Sequence, residues 1–203
     1  MRIRYGLIFL ILMFMLAGCR SLSSPFTDDF SDPSSGWTGA SYETYERGYV
    51  QGQYLIRIDV PQWFVWTTPG EYFEDVSIEV TARSEGSTDN HYGVLCRYDQ
   101  GNFYYFAISA DGYYGIFRGA EGQPLAPLTG SAMRRSPLIY TDGATNRLLV
   151  TCEGPLLTFY VNGEQLAQVT DEALTRGDMG LATGTVSRGG TAVWFDDLVV
   201  DKP

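Results

Sequence analysis

From Phe26 to the C-terminus, hydrophobic residues recur with a period of two, and turn residues break the pattern at short intervals. This constrains the fold more than any other feature, because a strand sends alternate side chains to opposite faces whereas a helix needs a 3.6-residue period. In Glu74–Ala82 the even positions are Glu, Val, Ile, Val and Ala, and the odd positions are Asp, Ser, Glu and Thr. One face enters a core and the other meets water. Tyr49–Val60 reads as a similar strand, with Val50, Tyr54, Ile56, Ile58 and Val60 on one side. His91–Tyr98 and Phe103–Ser109 read as a hairpin around Asp99–Asn102, followed by a turn at Ala110–Gly112 and a strand at Tyr113–Arg118. Arg147–Cys152 and Leu156–Val161 flank the turn Glu153–Pro155, and Asn162-Gly163 is a type I′ hairpin signal. Gly180–Thr185 and Ala192–Val200 close the series. Gly119–Pro137 reads as a long surface loop, and only Asp171–Arg176 has the makings of a helical turn. About ten to twelve short strands separated by turn signals predict an antiparallel two-sheet sandwich or jelly roll. With no internal repeat and no change of composition, residues 26–203 are expected to form one all-β domain.

The first residues have another character. Arg2 and Arg4 precede an uncharged apolar run, Gly6–Leu16, which leads into Ala17, Gly18 and Cys19. This is the layout of a secretory signal peptide, and the run is shorter than the roughly 20 residues of a membrane span. Leu16-Ala17-Gly18-Cys19 resembles a bacterial lipobox, which implies removal of residues 1–18 and acylation of Cys19 with palmitate-type chains. Residues 19–25 are then a lipidated cysteine and a short polar tether. The expected location is the extracytoplasmic face of the cell membrane, where each buried CH₂ of an acyl chain contributes roughly 0.8 kcal/mol. Export also leaves Cys96 and Cys152 as an even pair in an oxidising compartment, read as a disulfide or as two buried thiols.

Charge and motif content remove several function classes. Asp plus Glu number 24 against 14 Lys plus Arg, a net charge of −10, which repels phosphate backbones and speaks against a nucleic-acid partner. The single histidine, His91, excludes metal sites built on two or more imidazoles. The sequence has no G-x-S-x-G, Walker loop, G-x-G-x-x-G or C-x-x-C. Acyl-transfer elbows, nucleotide hydrolysis, dinucleotide chemistry and thioredoxin-like chemistry therefore have no motif behind them, and no cofactor is expected.

Five blocks point to a family: Asp28–Asp32 with Gly36-Trp37; Tyr92–Tyr98; Asn102–Tyr114; Leu157–Gly163; and Gly180–Ala182 with Trp194–Val199. Together they resemble the concanavalin A-like lectin and glucanase jelly rolls, in particular the 3-keto-disaccharide hydrolase branch found on bacterial lipoproteins. The resemblance spans nearly all of Phe26–Lys202. It implies the fold and a carbohydrate partner but leaves activity open, because this architecture hosts lectins, glucanases and adhesion modules. Glucanases of the family carry an acidic-x-Asp-x-acidic strand, and the nearest match here is Asp75-Val76-Ser77-Ile78-Glu79. Asp stands where Glu is usual, and Ser77 stands where the helper Asp would be. Residues four apart on a strand are about 13 Å apart, whereas retaining hydrolysis brings its carboxyl groups to about 5 Å. Asp75 and Glu79 are weak catalytic candidates on a solvated face.

Sugars offer apolar C–H faces to aromatic rings. Trp63 and Trp66, in the Pro-bounded segment Pro61–Pro69 that reads as a loop or irregular edge, are platform candidates or core residues. For Tyr105, Tyr113 and Tyr114 the strand register decides between the same alternatives. Arg97 and Arg118 have the fork geometry to hold sugar hydroxyls or carboxylates, or to pair with Asp and Glu. His91 is expected at a strand start, solvated or capping a turn. Asp28, Asp29, Asp196 and Asp197 lie near termini that pair in this fold, and suit a structural Ca²⁺ or ordinary strand ends. The leading expectation is a membrane-anchored, non-catalytic carbohydrate-binding or adhesion protein. The alternatives are a glycoside hydrolase and a structural envelope protein that binds another protein.

Overall fold

A computed structural model describes residues 25–203, and within them the chain is strand and turn with no helix. In chain order the strands are β1 (Phe26–Asp28), β2 (Ala40–Ser41), β3 (Tyr45–Val50), β4 (Gln53–Ile58), β5 (Phe64–Thr67), β6 (Tyr72–Phe73), β7 (Val76–Gly86), β8 (Asn90–Asp99) and β9 (Asn102–Ile108). They continue with β10 (Tyr113–Gly119), β11 (Ala126–Pro127), β12 (Arg134–Arg135), β13 (Asn146–Glu153), β14 (Leu156–Val161), β15 (Glu164–Thr170), β16 (Gly177–Thr185) and β17 (Thr191–Asp201). The first sheet runs β15-β14-β13-β7-β17-β4-β3-β2, with β1 also on β17; the second runs β11-β10-β9-β8-β16-β5, with β12 on β10 and β6 on β16. Every pairing is antiparallel. This is the two-sheet jelly roll that the alternation predicts, and its first and last strands pair from Phe26–Val200 to Asp28–Leu198.

The core lies between the sheets. Ile56, Ile58, Ile78, Val80, Leu148 and Val150 enter it from the first sheet, and Val94, Tyr104, Phe106, Ile108 and Leu181 from the second. Cys96 of β8 and Cys152 of β13 form a disulfide that ties the sheets together across a sequence separation of 56. By restricting the unfolded chain, such a link contributes about 4 kcal/mol.

Three segments depart from the sequence reading. Tyr49–Val60 is a hairpin, β3 and β4, because Gln51 and Gly52 take the left-handed conformation (φ 54° and 75°) that a two-residue primed turn requires. Within Gly119–Pro137 the short strands β11 and β12 pair with β10. Asp171–Arg176 stays irregular. The Asp171 carboxylate accepts from the Tyr104 hydroxyl, the Ala173 amide and Arg118, while the Leu174 amide donates to Tyr104 and its carbonyl accepts from Arg97. These tertiary bonds hold the segment open against helical pairing.

The outward faces of the two sheets differ. In β7, Val76, Ile78, Val80, Ala82 and Ser84 are buried while Ser77, Glu79, Thr81 and Arg83 alternate outward. β16 is buried at every position, and β9 at every position from Phe103 to Ile108. A strand buried on both faces of a two-layer sandwich must be covered from outside as well.

Candidate functional site

Aromatic side chains provide that cover. On the outer face of the second sheet, Phe64 and Trp66 come from β5, Tyr98 from β8, Phe103 and Tyr105 from β9, and Phe117 from β10, packed with Leu95, Ala107 and Ala182. Small residues leave room for the rings to lie flat. A Cβ on Gly119 would fall 2.3 Å from the Phe103 ring, one on Gly184 2.1 Å from the His91 ring, and one on Gly115 2.8 Å from the Phe117 ring. Strands β5 and β9 are separated by β16 and β8, so the strands that carry Phe64 and Phe103 run about 14 Å apart across the sheet. Their ring centroids nevertheless meet at 5.8 Å, inclined by only 17°. Phe64 is the hub, with centroids 5.8 Å from Trp66, 5.9 Å from His91 and 5.2 Å from Tyr105. Tyr98 closes the floor at 6.1 Å from both Trp66 and Phe103.

Above this floor is a cavity of about 750 Å³, walled by Gln100, Gly101 and the turn from Gly119 to Leu125. Glu121 is the one charged residue in its lining. At the margin, His91 is neither solvated nor capping a turn as expected: its ring stacks on Phe64, and its Nδ1 and the Tyr105 hydroxyl are 3.1 Å apart. Burial pushes the imidazole down to about 4 and the phenol well above its ordinary range, so both are neutral near pH 7. At the head of β16, the Asp178 carboxylate accepts the amides of Gly70, Glu71 and Met179 and fixes the turn that follows Trp66. Burial raises its pKa despite these donors.

The backbone is similar to several solved jelly rolls. The carbohydrate binding module CBM66 from Bacillus subtilis superposes with a TM-score of 0.63 at 17% identity, over 80% of this chain and 94% of that one. A protein of unknown function with a galectin-like fold, also from Bacillus subtilis, gives 0.62 at 14% identity over 87% and 94%. The CBM2 module of the evolved Dit protein from Lactobacillus casei phage J-1 gives 0.60 at 13% identity over 86% and 93%. The chain has their fold. No protein-family model matches the sequence, and no curated protein does either.

Of the residues the sequence singles out, Trp66 forms part of the floor and Tyr105 lies fully buried beneath it, in contact with Phe64 and Phe117. Trp63 stands outside the floor, against Tyr45 of β3. Arg97 is 2% exposed, and each guanidinium nitrogen already has a protein acceptor: the Glu74 carbonyl, the Leu174 carbonyl and Asp75. Arg118 pairs with Asp171 at 2.9 Å. Tyr114 is in the core, and Tyr113 is exposed in a separate depression with Asp89 and Asp111. Asp75 and Glu79 lie on the first sheet's side of the molecule, where Asp75 accepts the Gly154 amide and Glu79 pairs with Arg147. The acidic residues near the termini have protein partners of their own. Asp28 accepts from the Phe30 amide, Ser35 and the Trp37 indole, Asp29 from Ser31, and Asp196 from Gln53, while Asp197 sits at a β17 bulge with φ 51°. Asp28, Asp29, Asp32 and Asp197 line one depression, but among the described residues no three acidic, histidine or cysteine side chains are placed to hold a metal ion together. Cys19 and residues 1–18, expected as a signal segment, lie outside the described residues.

Sequence reasoning missed Phe64, Tyr98 and Phe103 as floor residues, and Phe117 packed beside them. The signal was present in the unbroken apolar run Phe103–Ile108 and in the small residues Gly180, Ala182 and Gly184 at alternate positions of β16. In an antiparallel sheet, an unbroken run marks a strand covered on both faces.

Proposed function

We propose that this protein binds a carbohydrate in the aromatic groove of its second sheet. The observation that carries the reading is the floor of Phe64, Trp66, Tyr98 and Phe103, open to a 750 Å³ cavity whose lining holds only one charge. Flat aromatic faces stack on the C–H faces of sugar rings, while Gln100, Gln123 and Glu121 on the rim offer hydrogen bonds to hydroxyls. The fold, shared with carbohydrate binding modules, supports the same reading. Hydrolysis of a glycosidic bond ordinarily draws on two carboxyl groups. The groove lining supplies Glu121 alone, so binding without cleavage is favoured over the hydrolase alternative.

In this reading the protein works at the cell surface, held by acyl chains on Cys19. The Leu16–Cys19 motif supports this, as does a disulfide suited to an oxidising compartment. Replacing Cys19 with Ala is expected to move the protein from the membrane fraction to the soluble fraction and to abolish labelling by palmitate. Binding is tested by electrophoresis of the purified protein through native gels cast with laminarin, xylan, levan or hydroxyethylcellulose. Retardation by at least one polysaccharide, lost in Trp66→Ala, is the expected result. Uniform mobility in every gel would overturn the proposal.

A further inference from the structure

The groove does not end at Trp66. A second cavity of about 290 Å³ adjoins it, and Phe64 and Trp66 line both. Its far wall is Trp63 with Tyr45 and Arg47. Trp63 is 41% exposed with its ring centroid 5.8 Å from that of Tyr45, and Tyr42, 61% exposed, lies a further 5.0 Å on. Three aromatic rings therefore step away from the groove along the outside of the molecule, on the other side of the Phe64–Trp66 partition. The wall also contains a cationic hydrogen-bond donor, Arg47. Nη2 of Arg47 donates to Thr38 at 3.2 Å, whereas its Nε is shielded from solvent and has no acceptor.

We infer that the two cavities are consecutive subsites for one extended glycan chain, crossing from the Tyr98–Phe103 floor over Trp66 to the Trp63–Tyr45 step. The inference rests on the carbohydrate-binding reading above and specifies the ligand class: a polymer gripped along its length, as opposed to a single terminal sugar. The lining of the larger cavity offers no cation to neutralise a uronic acid or a sulfate, and its one charge, Glu121, repels anions, so the sugar units held there are uncharged. Arg47 on the second step serves as a donor to hydroxyl or ring oxygens. A ligand that covers one platform is held by that platform alone. A chain that reaches both gains the second contact at high effective concentration, so affinity rises with chain length until both are covered.

The test is calorimetric titration with laminari-, xylo- and fructo-oligosaccharides, from disaccharides to hexasaccharides, using wild type, Trp66→Ala, Trp63→Ala and Trp63→Phe. For the series that binds, wild-type affinity is expected to climb with length. Trp63→Ala is expected to lower hexasaccharide affinity by about tenfold and leave the disaccharide unchanged, and Trp63→Phe to keep most of the length dependence. Trp66→Ala should weaken every length. If affinity is independent of length and Trp63→Ala changes nothing while Trp66→Ala abolishes binding, the second subsite is overturned and the groove reading stands. If no series binds, or if binding survives Trp66→Ala, the groove reading falls and the second subsite falls with it.

Discussion

Trp194 on the first sheet and Trp66 on the second both point away from the core, and the chain treats them differently. Arg83, cross-strand from Trp194, lays its guanidinium 5.0 Å over the indole, and Glu85 pairs with Arg83 in turn. Gln53 and Asp196 extend this polar cover. Trp66 has Phe64 and Tyr98 for neighbours and a cavity above it. Among the described residues, Trp194 is the one ring with a cation over its face. An aromatic capped by its own chain is finished surface. A set of rings left uncapped beside a cavity is surface suited to a ligand.

Perturbing each sheet in turn sharpens this contrast. The largest effect is expected where the sheets are joined. Replacing both Cys96 and Cys152 with Ala should cost about 4 kcal/mol in urea unfolding, and a loss below about 1 kcal/mol would show that the link constrains little. Next comes pH. Folded His91 takes up a proton only near pH 4, whereas in the unfolded chain it does so near 6.5. Its contribution is therefore fully present above pH 6.5 and is lost as pH falls towards 4, by roughly 3 kcal/mol at most. Melting curves of wild type and His91→Phe should diverge across that window, and parallel curves would place the imidazole in solvent. Gly119→Val pushes a methyl-bearing carbon into the Phe103 ring. It should cost about 1–3 kcal/mol and weaken glycan retention. Trp66→Ala should reduce glycan affinity at least about tenfold, equivalent to about 1.4 kcal/mol, and Trp194→Ala should leave it unchanged. Equal losses from both variants would erase the distinction between the faces. The smallest effect is expected from Arg147→Ala, which removes the exposed pair with Glu79 and should shift stability by less than about 1 kcal/mol.

The contrast also explains what the sequence disclosed. The first sheet was legible because water faces one side of it: β7 and β13 alternate cleanly, and Asn162-Gly163 and Glu153–Pro155 supply the turns the structure uses. The hairpin at Gln51-Gly52 was hidden because the alternation runs on through the turn. The groove was harder to see, since strand register and ring packing between non-neighbouring strands bring Phe64 to Phe103, and no local spacing records that contact. Trp66 stood out by residue type. Arg97 did too, but its bulged position in β8, φ 55°, turns it towards buried carbonyls, which a period-two reading does not foresee.

The four tryptophans make the central claim directly measurable, because one lies in each distinct environment: Trp37 in the core, Trp63 on the outer step, Trp66 in the groove and Trp194 under Arg83. Indole N–H signals followed by NMR during titration with a retained oligosaccharide report on all four at once. A carbohydrate groove on the second sheet predicts that Trp66 moves most while Trp37 and Trp194 stay fixed. Movement of Trp194 with a stationary Trp66 would put the ligand on the opposite face and contradict the account.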